Sequence, residues 1–137
     1  MNMNEFPRFL SGVESSLPRM VASPSEENWV RFHMDLQSAQ FIVPLDNAEH
    51  KPLFIGSKKI RTMYIPIFTS EVEYLKKPFE GTHTGVIPYI TLRYVIALYP
   101  EIGGLVINPF GMQMLLRREQ ILVMSSVTMD IHKDRLH

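Results

Sequence analysis

The sequence predicts one α/β domain of the α+β kind, built as a mixed sheet of about five strands with two main helices and short helical turns. Three observations predict this fold class. The 137 residues fit one ordinary domain. Helix-period and strand-period apolar patterns follow one another along the chain. The composition, 45% apolar and 20% charged, is that of a globular protein.

Residues 1–22 are predicted to be a weakly ordered N-terminal arm. Apolar residues follow helical spacing from Phe6 to Leu17, but Gly12 interrupts the pattern and Pro18 ends it. We therefore expect at most a short helix here, which docks on the body of the protein or on a partner.

The domain itself is predicted over 23–124. Its first helix, 24–38, opens on the capping box Ser23-Pro24-Ser25-Glu26, with proline at the first helical position. In this box the Ser23 side chain accepts a hydrogen bond from a free amide, and Glu26 reaches back. One apolar stripe is predicted to face the core: Trp29, Phe32 and Leu36.

Three strands are predicted after this helix. The first, 41–45, contains Pro44, which indicates a sheet edge or a bulge. The next two, 53–55 and 62–68, are predicted to pair as a hairpin across a polar turn. Apolar residues alternate on both faces of 62–68, which predicts that both faces are covered.

Short helices and strands fill the second half of the chain. Ser70-Glu71-Val72-Glu73 is a second capping box, predicted to open a helix that ends near Lys77. Gly103 and Gly104 are predicted to follow the end of the third helix. The remaining predicted elements are a loop at 79–85, a strand at 86–87, the third helix at 89–98, a strand at 105–107, a turn at 108–111, a strand at 112–116 and a helical turn at 117–122. The tail, 125–137, alternates apolar and polar residues and is predicted as a possible edge strand.

The order of these segments carries a family resemblance. Phe41-Ile42-Val43-Pro44 follows a capped helix, Phe68-Thr69-Ser70 precedes a short helix, and Asn108-Pro109 follows Leu105-Val106-Ile107. Over about residues 25–123 the chain resembles the SseB N-terminal domain family, named for enhanced serine sensitivity in enteric bacteria. The resemblance implies a small α/β fold in the bacterial cytoplasm, with no enzyme activity to carry over and a possible link to a secretion or toxin–immunity system.

Several kinds of site are absent from the sequence. Without cysteine there is no disulfide, thiol nucleophile or thiolate metal site. No two of the five histidines have the short spacing that places two imidazoles on one side of a helix or strand, and no phosphate-binding glycine motif occurs. Ser70 is explained as a helix cap, with no histidine near it in sequence to act as a base. We expect no metal, no cofactor and no enzyme activity.

Charge and hydropathy limit the partners. Fourteen basic residues balance fourteen acidic ones, whereas nucleic-acid-binding proteins usually carry a basic excess. The sequence shows neither a long apolar stretch nor a secretory leader pattern. We expect a cytoplasmic protein that binds another protein, with neither nucleic acid nor a membrane as partner.

A candidate interaction surface combines two parts of the chain. Residues 51–70 hold four basic and no acidic residues, so the hairpin could meet an acidic partner. Arg and Tyr on the third helix, off its apolar stripe, could line a groove beside the hairpin, because these residue types anchor interfaces. A solvated hairpin tip explains the basic residues more simply than partner binding does, and a solvated helix face explains Arg93 and Tyr94 as well as a groove does. The candidates are Lys58, Lys59, Arg61, Tyr64, Arg93 and Tyr94.

The function predicted from these features is a non-enzymatic protein-interaction or regulatory domain. A small-molecule binding domain or a hydrolase with a dispersed site is the alternative, which a pocket with convergent polar groups around Arg93, Tyr64 or Thr69 would favour. A structural subunit of a homodimer, with the tail as an added strand, is the third possibility.

Overall fold

The structure is a computed structural model that describes residues 6–57 and 62–123, and helices and strands alternate along this part of the chain. In chain order they are α1 (Phe6–Ala22), α2 (Glu26–Ser38), β1 (Gln40–Asp46), β2 (Ile55–Ser57), β3 (Thr62–Ile67), α3 (Glu71–Leu75), β4 (Thr82–Pro88), α4 (Tyr89–Leu98), β5 (Ile102–Ile107), β6 (Met114–Arg117) and α5 (118–123).

The strands form two hydrogen-bonded groups. β1 pairs with β4 in an antiparallel ladder, and the other four lie in the order β2-β3-β5-β6. Within the second group β3 and β5 are parallel, while β2–β3 and β5–β6 are antiparallel. Isolated bridges, Ile42 with Phe68 and Leu45 with Pro52, join the two groups. The α+β class, the mixed sheet and the hairpin are confirmed, with six strands in the described residues instead of about five.

The N-terminal segment is one helix of 17 residues that runs through both Gly12 and Pro18. Val13 and Leu17 on α1 are buried in the main core, and this burial outweighs the roughly 3 kcal/mol cost of an internal proline. Gly12 lies where Asp35 of α2 approaches the α1 backbone. The interruption predicted at Gly12 and the end predicted at Pro18 are therefore wrong, and α1 belongs to the same core as the rest of the domain.

Helix α2 begins two residues later than predicted. Its N-cap is Ser25, whose Oγ accepts a hydrogen bond from the amide of Asn28 at 3.1 Å. Ser23, predicted as the cap, instead accepts through its backbone carbonyl from Asn28 Nδ2 at 2.7 Å. Phe32 and Leu36 are fully buried as predicted.

Pro44 lies inside β1 at a position whose backbone N–H would point away from β4, so its missing N–H removes no hydrogen bond from the β1–β4 ladder. The N–H and C=O groups of Ile42 bond to Phe68, on the side of β1 away from β4, and the Pro44 carbonyl accepts from the Leu53 amide on the same side. Backbone groups on that side are paired only at isolated bridges, so the ladder with β4 is intact.

Two apolar clusters lie on opposite faces of the sheet. The main core fills the space between the sheet and α1, α2 and α4, and includes Ile65 and Ile67 of β3. The second cluster joins Ile42, Phe68 and Tyr74, with Phe79 packed against it. The prediction that both faces of the strand at 62–68 are covered is confirmed.

Two strands are longer than predicted. β4 includes residues predicted as loop, because each residue from Thr82 to Pro88 pairs with β1. β5 begins at Ile102 and contains Gly103 and Gly104, the predicted helix terminators. A Cβ at Gly104 would overlap the Leu116 carbonyl oxygen of β6, so the glycine permits this pairing.

The N-cap at Ser70, the third helix, the turn closed by the Gly111 amide on the Asn108 carbonyl, and the final helical turn are confirmed. The reciprocal half of the predicted capping box is not formed, because Glu73 Oε1 accepts from Lys76 Nζ instead. The predicted edge strand in the tail lies outside the described residues. None of the helices in 6–57 and 62–123 is both long and apolar enough to cross a lipid bilayer.

Candidate functional site

Helix α4 is apolar on nearly every side. Arg93 is the single charged residue in its sequence, Tyr-Ile-Thr-Leu-Arg-Tyr-Val-Ile-Ala-Leu. Tyr89, Leu92 and Ile96 are buried and bind the helix to the main core, which accounts for one face. Val95 also packs against this core, whereas Ile90, Tyr94 and Leu98 lie outside it and are exposed.

The outer face of α4 presents three large apolar side chains in a row. Ile90, Tyr94 and Leu98 recur at i, i+4 and i+8, and their exposed fractions are 50%, 66% and 55%. Residues four apart on a helix lie one above the other, so the three form one continuous strip. We call this strip the α4 ridge.

A groove lies beside the ridge, between the second half of α4 and the segment that leads into β2. It encloses about 370 Å³. Its walls are apolar, with the exposed Lys51 and Glu101 also lining it. We call it the hairpin groove; its apolar lining residues are Pro52, Phe54, Val95, Tyr99 and Ile102.

The predicted surface residues point in different directions. Arg93 faces α2, where its Nη1 donates to Gln37 Oε1 at 3.0 Å. Tyr94 lies on the α4 ridge. Tyr64 immediately precedes Ile65 in β3, so its side chain lies on the opposite face of the strand, over Gly103 and away from α4. The structure thus contains a groove beside the hairpin, but Arg93 and Tyr94 do not line it. The predicted candidates Lys58, Lys59 and Arg61 lie outside the described residues.

Unpaired polar atoms are buried on α2 and α4. His33 Nε2, Gln37 Nε2 and the Tyr89 hydroxyl are buried without a hydrogen-bond partner. Burial lowers the pKa of the His33 imidazole to about 4. Burial raises the pKa of the Tyr89 hydroxyl to about 12, with the positive charge of Arg93 acting against the rise. Both side chains are therefore neutral at pH 7.

Thr69 is fully engaged in structure. Its amide donates to Asn108 Oδ1 at 3.0 Å, and Asn108 Nδ2 donates to Thr69 Oγ1 at 2.9 Å. Both residues are buried, at the ends of the parallel strands β3 and β5. Ser70 caps α3 by accepting from the Glu73 amide at 3.3 Å. These contacts give both hydroxyl residues structural roles.

Arg118 at the start of α5 fixes one wall of the groove. Its guanidinium donates to the carbonyls of Ile96 and Ala97 in α4, to that of Tyr99 just after the helix, and to that of Ile102 at the start of β5. A cation at the C-terminal end of a helix also interacts favourably with the helix dipole. Arg118 therefore holds the segment that supplies Tyr99, Glu101 and Ile102 to the groove.

Sequence reasoning missed most of the α4 ridge and the hairpin groove. The i, i+4, i+8 spacing of Ile90, Tyr94 and Leu98 is visible in the sequence, as a second stripe beside the one that predicts the core. The groove has no such signal, because Phe54 and Tyr99 are 45 positions apart and only the tertiary fold brings them together. Comparison with known proteins adds no relative: no family model, curated protein or solved structure matches this chain.

Proposed function

We propose that this protein is a non-enzymatic interaction module, similar to the SseB N-terminal domain, that binds a second copy of its own chain through the α4 ridge and the hairpin groove. The observation that carries the proposal is the α4 ridge, where Ile90, Tyr94 and Leu98 are each at least half exposed on a helix with one charged residue.

The chemistry of this surface fits a protein interface. The centres of interfaces are depleted of charged residues and enriched in aromatic ones, and contiguous exposed apolar patches mark interaction sites. Tyr94 and Tyr99 supply large amphipathic rings on either side of Leu98 and Val95. Arg93, the one charge on α4, is turned toward Gln37 and away from this surface.

The surface is self-complementary, which favours a second copy as the partner. In a two-fold dimer the same patch meets itself, so an apolar ridge beside an apolar groove lets each copy place its ridge in the groove of the other. Lys51 and Glu101 give the groove one charge of each sign, and the same symmetry can pair Lys51 of one copy with Glu101 of the other. Zero net charge removes repulsion between copies.

The salt bridge that Lys51 already makes does not oppose this pairing. Lys51 Nζ lies 3.1 Å from Glu49 Oε2, and both side chains are more than 60% exposed. Exposed ion pairs contribute only about 0–1 kcal/mol, so Lys51 can exchange partners at little cost.

The non-enzymatic part of the proposal is supported by the roles of the polar side chains. Thr69 is hydrogen-bonded to Asn108, Ser70 caps α3, and Arg93 is hydrogen-bonded to Gln37. The polar groups whose convergence would favour a small-molecule or hydrolase site thus lie apart. A bacterial cytoplasmic location and a link to secretion or toxin immunity are proposed from the family resemblance.

The first test measures the mass of the protein in solution. Sedimentation equilibrium of the full chain is expected to show a monomer–dimer equilibrium. Tyr94→Lys places a charge at the centre of the ridge and is expected to raise the dimer dissociation constant by about 30-fold or more. The matched control is Val72→Lys on α3, which adds the same charge at a side chain that is 71% exposed and leaves the dimer unchanged.

A charge exchange tests the two-fold arrangement directly. Glu101→Lys and Lys51→Glu are each expected to weaken the dimer, and the double variant to recover it, because the pair is restored with its signs reversed. A native chain that stays monomeric at high micromolar concentration contradicts the proposal. So does a dimer that Tyr94→Lys and Val72→Lys affect equally.

A further inference from the structure

Two exposed histidines face each other at the end of the β1–β4 ladder. His50 Nδ1 lies 3.3 Å from His83 Nε2, and the ring centroids are 5.0 Å apart with the ring planes at 69°. His83 is on β4, opposite Leu45 of β1, and His50 is in the loop that follows β1. The fold thus brings together residues that are 33 positions apart.

Asn47 determines which nitrogen of His83 carries the proton. Asn47 Oδ1 lies 2.9 Å from His83 Nδ1, and a carbonyl oxygen can only accept, so Nδ1 is the protonated nitrogen. Nε2 of His83 therefore directs its lone pair toward His50. Histidines that bind metal ions have this same arrangement, with one nitrogen bound to the metal and the other donating to an oxygen.

The distance between the two nitrogens matches a shared metal ion. Two nitrogens bound to one tetrahedral metal at about 2.0–2.1 Å are about 3.3 Å apart. A direct hydrogen bond from nitrogen usually spans about 2.7–3.2 Å, so the pair is already wider than that contact prefers. We propose that His50 Nδ1 and His83 Nε2 form a surface site for a divalent transition-metal ion such as Zn²⁺, Ni²⁺ or Cu²⁺.

The loop that carries His50 is held in place before any metal binds. The Asp46 amide donates to the Lys51 carbonyl and the His50 amide donates to the Asp46 carbonyl, both at 2.9 Å. The Asn47 amide donates to the Gly81 carbonyl at 3.2 Å, which ties the loop to the turn before β4. His50 has a positive φ of 58°, a conformation that these bonds maintain. Metal binding therefore costs little conformational entropy in this loop.

The site supplies two protein ligands, and water completes the coordination. No group of three or more His, Cys, Asp or Glu side chains in 6–57 and 62–123 is placed to hold a metal ion. On binding, the proton on His50 Nδ1 moves to Nε2 by exchange with solvent, which frees the Nδ1 lone pair for the metal. Affinity is expected to be highest for Cu²⁺, with Ni²⁺ and Zn²⁺ weaker.

Calorimetric titration of the untagged full chain with Zn²⁺ tests the site. One ion is expected to bind per chain, and His83→Ala or His50→Ala is expected to lower the affinity by about 10-fold or more. Asn47→Ala leaves both ligands in place but removes the bond that sets the His83 tautomer, and it is expected to weaken binding by about 10-fold. Imidazole NMR signals of His50 and His83 are expected to shift on adding Zn²⁺.

The control addresses the other histidines. His132→Ala with His137→Ala removes both imidazoles of the tail and is expected to leave the affinity unchanged. Since His50 and His83 are exposed, their replacement should preserve the circular dichroism spectrum of the native chain. A double variant lacking His50 and His83 that binds Zn²⁺ as tightly as the native chain would refute the site, as would a loss of binding confined to the tail variant.

Discussion

Asn108 joins two turns of the chain that are far apart in sequence. Its side chain both accepts from and donates to Thr69, and its own backbone has a positive φ of 50°. The cap at Ser70 was predictable because its partner, Glu73, is three residues away. The Thr69–Asn108 clamp was not, because its partners are 39 residues apart and each turn has an adequate local explanation without the other.

Asn108→Ala is expected to destabilise the protein by about 3 kcal/mol, since it leaves the buried Thr69 amide and hydroxyl unpaired and places alanine at positive φ. Asn108→Gly also loses the hydrogen bonds but tolerates the backbone conformation, and it should be about 1 kcal/mol more stable than the alanine variant. Urea unfolding of the three proteins measures both differences. Equal stability of the native and alanine proteins would show that the clamp contributes nothing.

At the scale of elements, periodicity predicted buried faces well and boundaries less well. Helix α4 and the hairpin were predicted within a few residues, because their apolar spacing is regular. β4 and β5 were predicted too short, since Gly85 and the Gly103-Gly104 pair indicate loops when only local preference is considered. Pairing with β1, β3 and β6 overrides that preference.

Two glycines with positive φ differ in how closely other atoms pack against them. Gly104 has φ 150° and a backbone oxygen where its Cβ would lie, whereas Gly81 has φ 69° and open space. Gly104→Ala is therefore expected to cost at least about 3 kcal/mol, and Gly81→Ala about 1 kcal/mol. Thermal unfolding would measure both, and an alanine at 104 that is as well tolerated as one at 81 would contradict the β5–β6 geometry.

On the scale of the whole molecule, the sequence indicated the fold class but not which surface is available for binding. Composition and alternating patterns sufficed for a mixed sheet covered on both faces. Arg93 was expected on a groove and instead faces α2, because the direction of a helix side chain depends on how the helix is rotated against its neighbours. That rotation is set by packing of the whole core.

Stability of the whole domain is expected to fall in mild acid through His33. Its pKa is about 4 when folded and 6.5 ordinarily, so the unfolded chain binds a proton more readily as the pH falls below about 6.5. Between pH 7 and pH 5 this lowers the free energy of unfolding by up to about 2 kcal/mol. Urea unfolding at both pH values should show a smaller loss for His33→Leu, and identical losses would count against the burial of a neutral imidazole.

Arg118 spans separate parts of the architecture, because one side chain after β6 reaches the carbonyls that end α4 and begin β5. Shortening the chain from its C-terminal side past this position would therefore first loosen a wall of the hairpin groove some 20 residues upstream. The shape of that groove thus depends on the completeness of the last helix.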